Sequence, residues 1–271
     1  MNKIFDAVRL FRIAVLSCLF MSLSGMADAN NFYAAYNGAQ QGVTVRSLNL
    51  QQVSFFATPH PVNAVAAGPN NDLYVTYKNH IYNYTVSGAL IKDMAFPDSG
   101  INYTDISVRG NRVYVSYNGS QKGVTIRDLA LNQLFYFATP FSIKGIAAGT
   151  DNDIYLAAGN GLYRYGTNGI LLKSMIFPDK GIDYTDVTIT CGRLLASYSG
   201  SQRGVTIRDL TTLNQYSFFA TSFDIAGLVA GTDNDVYVSS SNHLYNLTLT
   251  GIQKQAFTWP QTNLSYDDVN R

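Results

Sequence analysis

Three tyrosine–aspartate pairs recur along the chain about 81 residues apart, and carboxylates repeated in this way could bind a cation together. The pairs are Tyr103 with Asp105, Tyr184 with Asp186, and Tyr266 with Asp268. Ca²⁺ prefers oxygen ligands such as aspartate carboxylates. The sequence therefore makes Ca²⁺ the one candidate cofactor, with Asp105, Asp186 and Asp268 as its ligands, and it predicts no other cofactor.

A second set of polar residues recurs with the same spacing. The segments are YNGAQQGVTVRSL from Tyr36, YNGSQKGVTIRDL from Tyr117 and YSGSQRGVTIRDL from Tyr198. Tyrosine stacks on sugars or peptides at a low entropy cost, and amides add hydrogen bonds. The predicted ligand-binding residues are the three Tyr–Asp pairs together with Tyr36, Asn37, Gln40, Tyr117, Asn118, Gln121, Tyr198 and Gln202.

A structural interpretation of the same residues stays open. Asp and Asn cap turns, and Tyr packs between repeated units, so these residues could recur simply because the unit recurs.

The chain offers few groups for acid–base catalysis. It contains no Glu, and its three histidines are His60, His80 and His243. It has no phosphate-binding loop, no G-x-S-x-G and no H-E-x-x-H. We therefore predict no catalytic residues.

Composition limits the partners. Only 14% of the residues are charged and the net charge is +1, whereas about 25% is typical of a soluble domain. No strong field would attract nucleic acid. The predicted partner is a glycan, a peptide or a protein.

The first 29 residues have the pattern of a Sec-type signal peptide. Lys3, Arg9 and Arg12 precede an apolar run at 13–21, and Ala27-Asp28-Ala29 follows. The run is too short to span a bilayer, which takes about 20 apolar residues. We predict an exported protein, periplasmic or extracellular, with one domain over residues 30–271, no membrane span in the mature part and a monomeric state.

The repeats predict the fold. Each unit of about 81 residues contains two blocks of about 40, and one block reads as strands at 63–67, 73–77, 81–86 and 90–96. Four strands in about 40–45 residues indicate a β-propeller blade. Three two-blade units predict an all-β, six-bladed propeller of four-stranded blades.

The two ends of the chain complement each other. Residues 265–271 resemble the innermost strand of a blade, and residues 31–36 resemble a second strand with no first strand before it. We predict that both termini form one composite closing blade.

Three runs carry a family resemblance: Asn-Asp-Leu-Tyr-Val at 71–75, Asn-Asp-Ile-Tyr-Leu at 152–156 and Asn-Asp-Val-Tyr-Val at 234–238. They resemble blades of the NHL, YVTN and SMP-30-like propeller superfamily. The resemblance implies a propeller that is often extracytoplasmic, in a group that ranges from lyases and lactonases to binding scaffolds. Its metal-binding enzymes use Glu, Asp, Asn or His at the channel mouth, and this chain departs from them in having no Glu.

These observations favour a secreted, non-catalytic propeller that binds a glycan, peptide or envelope component through one face. That face, the top, would carry the loops between the second and third strands and the connections between blades. Two alternatives stay open: a metal-assisted hydrolase, lactonase or lyase at the channel mouth, and a structural propeller that docks into an envelope assembly.

Overall fold

The computed structural model describes residues 31–232, 234–261 and 263–271. The predicted signal peptide, residues 1–29, lies outside the described residues. The described part is built from β-strands and turns. It contains no helix long and apolar enough to cross a membrane.

In the part of the chain that the structure describes, twenty-four strands form six antiparallel four-stranded sheets, which we number as blades I to VI. Blade I contains β1 (Asn31–Gly38), β2 (Gly42–Ser47) and β3 (Gln52–Ala57), with β24 (Leu264–Asn270) beside β1. Blade II contains β4 (Ala64–Ala67), β5 (Asp72–Tyr77), β6 (His80–Thr85) and β7 (Leu90–Ala95). Blade III contains β8 (Ile101–Arg109), β9 (Arg112–Gly119), β10 (Gly123–Asp128) and β11 (Gln133–Ala138).

The second half repeats this arrangement. Blade IV contains β12 (Gly145–Ala148), β13 (Asp153–Ala158), β14 (Gly161–Gly166) and β15 (Leu171–Ile176). Blade V contains β16 (Ile182–Thr190), β17 (Arg193–Gly200), β18 (Gly204–Asp209) and β19 (Gln215–Ala220). Blade VI contains β20 (Gly227–Ala230), β21 (Asp235–Ser240), β22 (His243–Thr248) and β23 (Gln253–Thr258).

The six innermost strands form a closed ring. In order around the ring, β24 contacts β4, β4 contacts β8, and the contacts continue through β12, β16 and β20 back to β24. The predicted six-bladed propeller is therefore confirmed, and its strand positions in blade II agree with the prediction to within a residue or so.

The composite closing blade is also confirmed. β24 pairs antiparallel with β1, from Tyr33 opposite Asn270 to Gly38 opposite Leu264. The last strand of the chain thus completes the sheet that the first described strand begins. Because both termini share one sheet, blade I has four strands like the other blades.

Burial follows position within each blade. The two middle strands are buried along most of their length, as in β2 and β5, because both faces pack against neighbouring blades. One such interface joins Val43, Val65, Leu73 and Tyr82 between blades I and II. The outermost strands are largely exposed, as in β3 and β19. The top face carries the loops between second and third strands and the inter-blade connections, and the bottom face carries the other turns.

Candidate functional site

The three repeated aspartates line the inner ring, where each one joins two blades. Asp105 lies midway along β8, and its Oδ2 accepts a hydrogen bond from the N–H of Ile146 in blade IV at 2.5 Å. Asp186 accepts one from Leu228 at 2.6 Å. Asp268 accepts one from Val65 at 2.8 Å. The other oxygen of each carboxylate accepts the N–H of the next residue in its own strand.

Glycine permits this close approach of the inner strands. A Cβ added to Gly145 would lie 2.7 Å from the Cα of Asp186, and one on Gly227 would lie 2.7 Å from the Cα of Asp268. Such contacts are shorter than packing allows, so strand β12 and strand β20 need glycine at these points. Asp186 and Asp268 thus each face a glycine on a neighbouring inner strand, whereas β4 has Ala64 at the corresponding position.

Burial disfavours the charged form of all three carboxyls. Desolvation raises the pKa of Asp105 to about 7. The pKa values of Asp186 and Asp268 are raised well above the usual range, first by desolvation and then by repulsion from the other carboxylates of the ring. The three buried carboxyls of the inner ring thus disfavour one another's ionisation.

The ring is not arranged as a metal site in this structure. Within the described ranges, no group of three or more His, Cys or Asp side chains is placed to hold one metal ion. Each carboxylate is instead occupied by two backbone N–H donors. Ca²⁺ at Asp105, Asp186 and Asp268 stays a prediction, and the donor geometry does not fit it. The carboxylates are also buried midway along the inner strands rather than at a strand end.

The six tyrosines predicted to bind ligand are all buried. Tyr103, Tyr184 and Tyr266 are at most 2% exposed, and Tyr36, Tyr117 and Tyr198 are at most 6% exposed. The hydroxyl of Tyr266 accepts a hydrogen bond from Arg46 at 3.2 Å, and Tyr184 accepts the same bond from Arg208 at 3.2 Å. Because the rings of these six tyrosines are buried, their faces are not available for stacking on a ligand.

Three buried arginines were not predicted from the sequence. Arg46, Arg127 and Arg208 each donate from Nη1 to the carbonyl of a leucine in the following turn, at 2.8–2.9 Å. Each lies in the GVT[VI]R segment of the repeat, surrounded by residues of a strand buried on both faces. An arginine within such a strand is itself a sign of a buried polar contact, because a buried charge needs hydrogen-bond partners.

The two predicted asparagines connect neighbouring blades. Asn37 donates to the carbonyl of Val62 and accepts its N–H at 2.8 Å. Asn118 makes the same pair with Ile143, at 2.7 and 2.9 Å. The third copy has Ser199, whose shorter side chain cannot span this pair. These amides therefore hold the inter-blade connection.

The three predicted glutamines remain exposed. Gln40, Gln121 and Gln202 lie in the top loops between second and third strands. Around Gln202 there is a cleft of about 480 Å³, bounded by that loop and by outer strand β19. It is lined by Tyr198, Gly200, Ser201, Gln202, Arg203, Phe218, Ala220 and Thr221. We call this cleft V.

Blades I and III repeat the framework of cleft V. A threonine at the start of each inter-blade connection donates its N–H to a loop carbonyl at 2.9–3.0 Å; the pairs are Thr58 with Gln41, Thr139 with Lys122 and Thr221 with Arg203. An outward aromatic residue on the outermost strand lies beside each loop, as Phe55, Tyr136 and Phe218, each 56–60% exposed. We call cleft V and the two corresponding surfaces of blades I and III the rim clefts.

Blade II carries an aromatic stack that the repeats did not reveal. His60 stacks on Tyr77 at 5.5 Å and on Tyr82 at 5.6 Å, and His80 stacks on Tyr82 at 5.4 Å. Blades IV and VI replace His60 with phenylalanine. In the sequence, this stack is indicated only by His60, which stands where the other two copies have Phe141 and Phe223.

Comparison with known proteins shows the fold alone. No protein-family model matches the sequence, and no curated protein matches it. A Bacteroides caccae protein of unknown function aligns over 89% of this chain and 98% of its own, at 11% identity and a TM-score of 0.73.

Two propeller domains align less closely. The β-propeller domain of Myceliophteria thermophila Cps50 (Swd1) covers 86% of this chain and 84% of its own, at 10% identity and a TM-score of 0.62. The WD40 β-propeller domain of Doa1 covers 86% and 80%, at 11% identity and a TM-score of 0.64. These likenesses support the β-propeller fold and do not identify the predicted NHL, YVTN and SMP-30-like group.

Proposed function

We propose that the chain is an exported, non-catalytic binding protein that holds a glycan in its three rim clefts. The observation that carries the proposal is the threefold repetition of one arrangement, an exposed aromatic ring beside an exposed glutamine. Aromatic faces stack on the apolar faces of sugar rings, and amides hydrogen-bond sugar hydroxyls.

Multivalency favours a glycan over a single peptide. Three equivalent clefts on alternate blades can engage three equivalent units of a repetitive polymer, and binding of the second and third units becomes intramolecular. A glycan presents such units, whereas an ordinary peptide does not. The low charge of the chain also suits a neutral or weakly charged partner.

The inner-ring residues have a supporting role in this proposal. The buried Tyr and Asp side chains and the half-buried Asn side chains fix the blades on which Gln40, Gln121 and Gln202 are displayed. A metal-assisted hydrolase, lactonase or lyase remains the alternative from the sequence, and no specific feature of the described residues favours it.

The test is a glycan array probed with the chain from residue 30 onward, beside a peptide array. We expect binding to a glycan family, lost in F55A/Y136A/F218A. The matched control is I91A/L172A, which removes exposed apolar residues from the outer strands of blades II and IV and should bind normally. Peptide binding without glycan binding would contradict the ligand class, and equal binding by both variants would contradict the location.

A further inference from the structure

A second cleft lies on the bottom face, between blades III and IV. Its volume is about 670 Å³, within the range of small-molecule sites. It is lined by Arg109, Gly110, Asn111, Arg112, Tyr114, Leu134, Gly149, Thr150 and Asn152. Two arginines and no carboxylate thus border one concave surface, on the opposite face from the rim clefts.

The two arginines lie next to each other because they flank the turn of the β8–β9 hairpin. Arg109 ends β8 and Arg112 begins β9, and the two residues are directly opposite in the sheet register. Both side chains are exposed. Like charges opposite each other in an antiparallel pair repel, so this arrangement is destabilising unless an anion is bound.

The neighbouring carboxylates are engaged elsewhere. Asp128 lies opposite Arg112 in the register, but its oxygens accept hydrogen bonds from the backbone and side chain of Asn132 at 2.8 and 2.9 Å. Asp151, in the facing turn of blade IV, accepts from Tyr155 at 3.0 Å and pairs with Arg164 at 3.3 Å. Within the described ranges, neither Arg109 nor Arg112 has an ion-pair partner.

The rest of the lining adds neutral donors and an apolar wall. Thr150 and Asn152 are exposed on the facing turn, and both can donate hydrogen bonds to an oxyanion. Leu134 is 53% exposed on the outer strand of blade III. A ligand with an anionic group at the arginines would therefore place its apolar part against Leu134.

We propose that this cleft binds the phosphate group of a soluble phosphate monoester. Two guanidinium groups match the nearly double negative charge of a phosphate monoester and can bind its oxygens in bidentate geometry. The site is independent of the proposed glycan binding, since it uses other residues on the other face.

Blade V provides a matched control. Its hairpin keeps one arginine, Arg193, but has Thr190 where blade III has Arg109 and Leu195 where blade III has Tyr114. The guanidinium of Arg193 lies 5.4 Å from the ring centre of Tyr216. This copy has half the charge, so removing Arg193 should not affect the site.

Calorimetric titration of the full chain with inorganic phosphate and with phenyl phosphate tests the proposal. We expect saturable binding of both at one site, with phenyl phosphate the tighter. R109A and R112A should each weaken binding about tenfold or more, since each removes a charge-assisted pair. R193A should bind as the unaltered chain does, and R112K, which keeps the charge but loses the planar fork, should bind with intermediate affinity.

Three results would overturn the proposal: no saturable binding of either phosphate, an equal loss in R193A, or R109A and R112A variants that bind both phosphates unchanged while keeping their melting temperatures. Vesicles of equal parts phosphatidylglycerol and phosphatidylcholine separate the sources of phosphate. Binding to these vesicles without saturable binding of phenyl phosphate would contradict a soluble phosphate monoester as the ligand.

Discussion

The carboxylate of Asp105 accepts the backbone N–H of Ile146, 41 residues further along the chain and one blade away, at 2.5 Å. The same contact joins blade V to blade VI and blade I to blade II. Three of the six junctions around the channel thus depend on a buried carboxylate.

Stability should fall as the pH rises from about 4 to 7 and above. The pKa values of Asp105, Asp186 and Asp268 are raised in the folded protein, so the folded state binds more protons than the unfolded state in this window. The contribution of these carboxyls to the free energy of unfolding is therefore complete below their pKa in the unfolded chain, about 3.9. It is lost as the pH rises through their pKa in the folded protein, at up to about 1.4 kcal/mol per pH unit for each carboxyl. Urea unfolding at a series of pH values measures this slope.

Replacing the ring carboxyls should flatten that slope. In D105N/D186N/D268N the amide cannot ionise, although each asparagine leaves one backbone N–H without an acceptor, at a cost of about 1–3 kcal/mol. The control is D224N, because the Asp224 side chain is 62% exposed; it should keep the slope of the unaltered chain. A slope unchanged in the triple variant, or stability that rises between pH 4 and 7, would count against the assignment.

Restoring an asparagine at the third copy should stabilise the ring. S199N would give blade V the amide that Asn118 uses to hold Ile143, here with the backbone of Ile225. We expect a gain of about 0.5–1.5 kcal/mol per hydrogen bond made, measured as the denaturant midpoint. The matched control, N118S, should lose a similar amount. A destabilised S199N would show that the third connection has a different geometry.

Removing residues 266–271 should destabilise the whole propeller. The deletion removes most of β24, its pairing with β1 and the contact of Tyr266 with Arg46. It also leaves a buried arginine without that partner, so we expect a loss of several kcal/mol out of the roughly 5–15 that a domain has. Thermal unfolding compares it with a chain that lacks only residues 1–29. An unchanged melting temperature would contradict closure by the C-terminal strand.

The sequence was sufficient to predict the architecture because the repeat is itself the fold. Four strands per block of about 40 residues, three double units and two complementary ends predicted the six blades and the composite closure. β24 pairs with β1 because the last residues match an inner strand of the repeat and residues 31–36 match a second strand. Such patterns depend on periodicity alone, which a single chain displays.

The site was less predictable, because repeated polar residues carry no sign of burial. Tyr103 and Gln121 recur equally well, yet the first is buried and the second is exposed. Whether a repeated residue is buried between blades or exposed on a loop depends on tertiary packing. The charge pair at Arg109 and Arg112 could not be predicted from the repeat, since it occurs in one copy only.

The most direct test of the central claim is the stepwise removal of the rim clefts. Binding to an immobilised polymeric glycan found on the array would be measured for the unaltered chain, for F218A, for Y136A/F218A and for F55A/Y136A/F218A. If the three clefts act together, avidity should fall by about tenfold or more at each step, while affinity for the isolated sugar unit should change little until the last cleft is lost. Complete loss on removing one cleft, or unchanged avidity in the triple variant, would contradict threefold binding at the rim.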